Sequence, residues 1–178
     1  MGADSAIRPA RFHNLLASSY IRNLFIYKDE WVSGLMYENV LIATDGSDKS
    51  EPCVNHGLEV GEAFDSHIHA QYVVETEATY ILSVGLGDDQ LAEYREYGEE
   101  TVSAVADRAA ARGLDATGVV STGAIAEEIV EYAEANDIDL IVMGRQGRGA
   151  IEKYLGSTAE KVARMADTPV TIVGRGSK

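Results

Sequence analysis

Along this chain the hydrophobic pattern changes period again and again. Val40-Leu-Ile-Ala43 is a short continuous apolar run, the pattern of a strand covered on both faces. Ser50 to Phe64 reads as a helix with Pro52 tolerated in its first turn. Ser66 to Glu75 is rich in β-branched and aromatic residues and reads as a second strand. Residues 76–87, with Gly85 and Gly87, read as a loop. Asp88 to Arg112 reads as a long amphipathic helix ending at Gly113. Ala116 to Thr122 is a third strand. Ala124 to Asn136 is a helix with Ile125, Ile129, Val130 and Ala133 at helical spacing. A buried strand over 138–143, a glycine-rich loop, a helix over 157–167 and a strand over 169–173 complete the pattern. Alternation of this kind predicts an α/β fold, a doubly wound parallel sheet with helices on both faces. Such sheets take ligands beyond the carboxyl ends of their strands, where the strand order reverses.

The first 35 residues do not share this rhythm. They are near neutral, whereas the excess of acid over base lies from Met36 onward, and they hold Trp31, the only tryptophan. Their apolar core, Leu15-Leu16-Ala17, is too short for a signal peptide. Two readings stay open for 1–35. One is an extension, disordered or a mis-assigned start ahead of a natural beginning at Met36. The other is a helix that packs on a partner subunit through Leu15, Leu16, Ile21, Leu24 and Phe25. The folded domain is expected over 36–178.

Composition narrows the function classes. The formal charge is −14 and the pI about 4.6. Such a surface repels nucleic acid and anionic membrane, so neither is expected as a partner. The acid is spread along the chain and not gathered in a tail. That fits a protein of a halophilic organism, because at 1 M salt the Debye length shrinks to about 3 Å and self-repulsion is screened. No apolar run approaches the length of a membrane span. The single cysteine, Cys53, excludes an internal disulfide and a cysteine-rich zinc site, and fits a reducing cytoplasm.

Two segments could carry chemistry. Ala43-Thr44-Asp45-Gly46-Ser47-Asp48 ends the first strand. Asp45 there could accept hydrogen bonds from a ribose or a base edge, or could simply shape a turn and cap the next helix. The second segment, Gly144 to Arg164, carries Arg145, Arg148, Lys153, Lys161 and Arg164 against Glu152 and Glu160, a basic stretch in an acidic chain. Its glycines let backbone N–H groups approach phosphate oxygens, and Ser157 and Thr158 open a helix whose dipole favours an anion. It is not a Walker loop, and Gly144-x-x-Gly147-x-Gly149 reverses the dinucleotide fingerprint. His67 and His69 share one side of a strand and read as a sheet-face pair; Cys53 reads as a packed small residue. Glu127, Glu128, Glu131 and Glu134 read as a solvated helix face. No nucleophile–base relay or carboxylate pair stands out, so no catalytic residue is assigned.

Taken together these residues resemble the universal stress protein family, from about Met36 to Gly174. Val40-Leu-Ile-Ala-Thr-Asp-Gly-Ser47 is similar to its first strand and aspartate, and His69-Ala-Gln-Tyr-Val-Val-Glu75 to its second strand. Val142-Met-Gly-Arg-Gln-Gly-Arg148 with Gly156-Ser-Thr-Ala-Glu-Lys-Val162 is similar to its ATP loop, and Pro169-Val-Thr-Ile-Val173 to its last strand. The resemblance implies a sheet of order 3-2-1-4-5 of the adenine nucleotide alpha hydrolase-like kind. It also implies ATP as ligand, with Mg²⁺ or Mn²⁺, in a regulatory stress-response protein that turns ATP over slowly if at all. The alternative is a dimeric scaffold of the same fold that binds no nucleotide. By the same resemblance, Asp45, next to Thr44, contacts the adenosine end. The backbone at Val73 contacts adenine, and Ala43 lines that pocket. The N–H groups of Gly144, Arg145, Gln146, Gly147, Arg148 and Gly149 cradle the phosphates, and Gly156, Ser157 and Thr158 complete the cradle. A homodimer through 169–173 is expected as well. One departure matters: the family's loop has nine residues between its second and third glycines, whereas eight separate Gly147 from Gly156 here.

Overall fold

The computed structural model describes residues 37–76, 87–146 and 155–174. The readings for 1–35, for most of the loop 76–87, and for Gly147, Arg148 and Gly149 lie outside them. In chain order the elements are β1 (Asn39–Ala43), α1 (Glu51–Phe64), β2 (His67–Glu75), α2 (Asp88–Ala110), β3 (Ala116–Gly123), α3 (Ile125–Ala135), β4 (Leu140–Gly144), α4 (Ser157–Met165) and β5 (Val170–Val173). The strands form one sheet in the order β3-β2-β1-β4-β5, as the resemblance implies. Every neighbouring pair is parallel.

The sheet divides two apolar cores. On one face Val40 and Ile42 of β1, Ile68, Ala70, Tyr72 and Val74 of β2, and Leu140 and Val142 of β4 pack with Val54 and Leu58 of α1 and Val102, Val105 and Ala109 of α2. On the other, Leu41, Ile141 and Met143 pack with Ala126, Ile129, Val130 and Ala133 of α3 and Ala159 and Val162 of α4. β1 sits at the centre and contributes alternate residues to both. That is why it shows no polar alternation in sequence.

Several boundaries differ from the sequence reading by one or two residues, as at α2, which ends at Ala110 and not Arg112, and two of them are instructive. Ile138 was expected to open β4, but its N–H donates to Ala133 O at 3.0 Å and closes the end of α3; the strand begins at Leu140. The last helix was expected to run to 167. It stops at Met165, and Ala166 is already extended (φ −74°, ψ 133°), which frees the chain to turn toward β5 before Pro169.

Candidate functional site

The strand order reverses between β1 and β4, so the crevice lies beyond Ala43 and Gly144. β1 ends beside Gln71, since Ala43 is the Cα partner of Gln71 and the Thr44 N–H donates to Gln71 O at 3.0 Å. β2 continues to Glu75. In a strand, residues two apart present their peptide groups to the same side. Gln71 faces β1, and so Val73 faces the space where β1 has turned away, about 7 Å further along. On the other edge the Thr76 N–H donates to Gly123 O, which places the even-numbered peptides toward β3. The N–H and C=O of Val73 therefore form a donor–acceptor pair aimed at the crevice.

The turn after β1 is held from several directions. Gly46 has φ +72°, a conformation that side-chain-bearing residues rarely adopt. Its N–H donates to Thr44 Oγ1 at 3.1 Å. The Thr44 hydroxyl donates to Ser50 Oγ at 2.9 Å, and the Ser50 hydroxyl to Ser47 O at 2.7 Å. Asp45 Oδ1 accepts the Ser47 N–H at 3.0 Å and the Ser47 hydroxyl at 2.7 Å. These contacts make an Asx turn, so the local, turn-shaping reading of Asp45 is correct as far as it goes. Ser50 is the N-cap of α1 but makes no side-chain capping bond, because its hydroxyl is engaged with this turn.

On the β4 side, Gly144 has ordinary room around it. A Cβ there would meet Gln146 O at 3.6 Å and Ser50 Cα at 4.0 Å. Gly156 is different, since its Cβ would lie 3.0 Å from Arg145 O. The Gly156 N–H donates to that same oxygen at 2.9 Å, which closes the base of the loop. The Arg145 N–H donates to Val173 O at 2.8 Å. Two donors assigned to the phosphate cradle, Arg145 and Gly156, are therefore engaged within the protein, because the chain stays in the sheet one residue beyond β4 and must close its loop before α4. Ser157 and Thr158 open α4, a helix that starts without a side-chain cap, so their N–H groups belong to the orphan donors of a helix start. Gln146 lies beside this closure. Gly147, Arg148 and Gly149 lie outside the described residues.

The remaining candidates fall away from the crevice or into packing. Cys53 is fully buried with Sγ 3.7 Å from Ala43 O. Burial, with Asp45 and Glu51 nearby, pushes its thiol pKa up to about 12. His67 and His69 lie with ring centroids 4.7 Å apart and planes tilted by 57°, on one face at the opposite end of the sheet, His69 Nδ1 lying 2.8 Å from the Tyr132 hydroxyl. Burial and then His67 lower the pKa of His69. Glu131 and Glu134 are solvated as expected, but Glu127 and Glu128 are half-buried, with Glu128 lying over Gly123. Sequence reasoning did not single out Ser47, Ser50 or Tyr97, which build the turn. Ser47 and Ser50 act within the turn itself, whereas no spacing rule marks Tyr97, whose partner Gly46 is 51 residues away.

A family model described as the universal stress protein family matches residues 36–174. The chain belongs to that family. Universal stress protein MJ0531 of Methanocaldococcus jannaschii is 34% identical over 161 residues, which is 89% of this chain and 92% of that one. Among solved structures, protein MJ0577 of the same organism is similar with a TM-score of 0.72 at 23% identity, over 80% of this chain and 99% of that one, a likeness of fold. A universal stress protein in complex with cAMP is similar with a TM-score of 0.57 at 27% identity, over 78% of this chain and 98% of that one. Among the described residues no helix is long and apolar enough to cross a membrane.

Proposed function

We infer that this universal stress protein binds an adenine nucleotide in the crevice beyond β1 and β4, with ATP as its ligand, and regulates a stress response through that binding. The observation that carries the reading is the backbone of Val73, whose N–H and C=O face the gap left where β1 ends. Adenine offers the complement, a ring-nitrogen acceptor beside an amino donor; guanine offers the reverse, an N–H beside an oxygen. The similar protein solved with cAMP supports an adenine ligand. In this reading Ala43 lines the base pocket and Asp45, braced by Thr44 and Ser47, meets the ribose. Gly144, Gln146 and the α4 start at Ser157 and Thr158 face the phosphates, together with Gly147, Arg148 and Gly149.

A Mg²⁺ or Mn²⁺ ion would travel on the phosphates. Among the described residues no group of three or more His, Cys, Asp or Glu side chains is disposed to hold one. The reading assigns no residue to the activation of water, and rapid steady-state ATP turnover would contradict it. β5 is an edge strand paired on one side with β4, and a second copy pairing along 169–173 would cover its free edge; a monomer in equilibrium sedimentation would remove that proposal. The charge of −14 supports a role in a salt-rich cytoplasm, and stability that stays flat as KCl rises would contradict it. Calorimetric titration of ATP and GTP into the nucleotide-free protein tests the main reading.

A further inference from the structure

The turn that carries Asp45 is held from above as well as below. Tyr97, on α2, donates its hydroxyl to Gly46 O at 3.0 Å. The fit is close: a Cβ on Gly46 would lie 2.5 Å from the Tyr97 hydroxyl and 2.7 Å from Thr101 Oγ1. Thr101 in turn donates to Tyr97 O at 2.8 Å, one helical turn back. The tyrosine ring packs edge-on against Tyr72 of β2, with centroids 5.7 Å apart.

What brings α2 this near is its next residue. Gly98 is buried, and a Cβ there would lie 2.6 Å from the Tyr72 ring and 3.1 Å from Val120. The absent side chain lets the helix settle onto β2 and β3. Arg95 fixes the same stretch by donating to Thr122 Oγ1 at 2.8 Å. From Asp88 to Glu96 nearly every residue is exposed, so Arg95-x-Tyr97-Gly98-x-x-Thr101 is where α2 first comes down onto the sheet, ahead of Val102, Val105 and Ala109 in the core.

We propose that Tyr97, seated by Gly98, is a positioning residue that holds the Asp45-Gly46-Ser47 turn in the shape that meets the adenosine half of the ligand. The proposal rests on the nucleotide reading above and deepens it. Tyr97 touches no ligand atom in this scheme. It fixes the Gly46 peptide, and through it the direction in which Asp45 presents its carboxylate.

The test is Tyr97→Phe in the full chain. Phenylalanine keeps the ring against Tyr72 and removes one hydroxyl from a solvent-reachable carbonyl, so the ligand-free protein should unfold at the wild-type temperature. Affinity for ATP and for adenosine should fall by the same factor, about 3- to 10-fold, the usual worth of one hydrogen bond. Exchange of the Ser47 amide, which is hydrogen-bonded to Asp45, should quicken in the variant. Gly98→Ala, which lifts the helix, should show the same ligand pattern with a larger loss. Wild-type affinity for both ligands in Tyr97→Phe would overturn the inference, as would a loss confined to ATP or unchanged Ser47 exchange. Failure of the wild-type protein itself to bind ATP or adenosine would instead overturn the nucleotide reading, and is seen before any variant is made.

Discussion

Gly144→Ala separates what the fold requires from what a ligand requires. The nearest atoms to a Cβ at Gly144 are Gln146 O at 3.6 Å and Ser50 Cα at 4.0 Å, ordinary van der Waals contacts. Its φ is not positive, so alanine fits without backbone strain. Replacing glycine at a compatible position removes conformational freedom from the unfolded chain, worth about 0.4–1 kcal/mol of stability. For a chain of this size that raises the ligand-free Tm by roughly 1–4 °C. If phosphates approach the Gly144 peptide, the same methyl obstructs them and the ATP-induced rise in Tm is lost. Gly156→Ala is the contrasting control. Its Cβ would lie 3.0 Å from a backbone oxygen at a helix N-cap, where alanine is also disfavoured, so it should cost about 1–2 kcal/mol even without ligand. The assay is thermal unfolding of wild type and both variants, with and without Mg-ATP. A Gly144→Ala protein that keeps the full ATP-induced rise refutes the placement of the phosphates. One that unfolds well below wild type without ligand refutes the claim that the fold leaves this position free.

Two further outcomes follow from titrating groups. Cys53, fully buried with a pKa near 12, should resist thiol reagents in the native protein at pH 8 and react only at the rate of opening. Its folded pKa is raised above the ordinary thiol value of 9.0, so its contribution is complete below pH 9 and is lost as pH climbs toward 12, on the order of 4 kcal/mol in all. Cys53→Ala should flatten that alkaline decline, and rapid native labelling would refute the burial argument. For His69 the sign is opposite. Its lowered pKa keeps it neutral in the fold, so stability holds above about pH 6.5 and falls as the pH drops from there through the folded value. His67→Gln should raise the His69 pKa in an NMR titration, because it removes the neighbouring positive charge. An unchanged midpoint would show that burial alone sets it.

The sheet was legible in the sequence because its central strands β1 and β4 are buried on two faces and its helices on one. Val40-Leu-Ile and Leu140-Ile-Val show no polar alternation, and α3 shows its apolar stripe plainly. The ends of elements were less legible. Ile138 is apolar and buried whether it closes α3 or opens β4, and only its hydrogen bond to Ala133 O decides between them. The crevice was half legible. Asp45, Gly144 and Ser157 stand in recognisable motifs, and Val73 follows from the register once β1 and β2 are aligned. The brace on the Asp45 turn was not legible. Tyr97 and Gly46 are 51 residues apart, and a tyrosine beside a glycine within a long amphipathic helix has no local signature. Nor could the sequence show that the Arg145 and Gly156 N–H groups are engaged, since both bonds depend on where the loop closes.

The central claim is adenine recognition by the Val73 peptide at the switch point. Its most direct test is calorimetric titration of ATP, with GTP alongside, into protein freed of carried-over nucleotide in concentrated KCl. Saturable one-to-one binding of ATP is expected, with GTP weaker by at least about 100-fold, since guanine would set a donor against the Val73 N–H and an acceptor against its C=O. Equal affinity for the two, or no heat from either at millimolar concentration, would contradict the account.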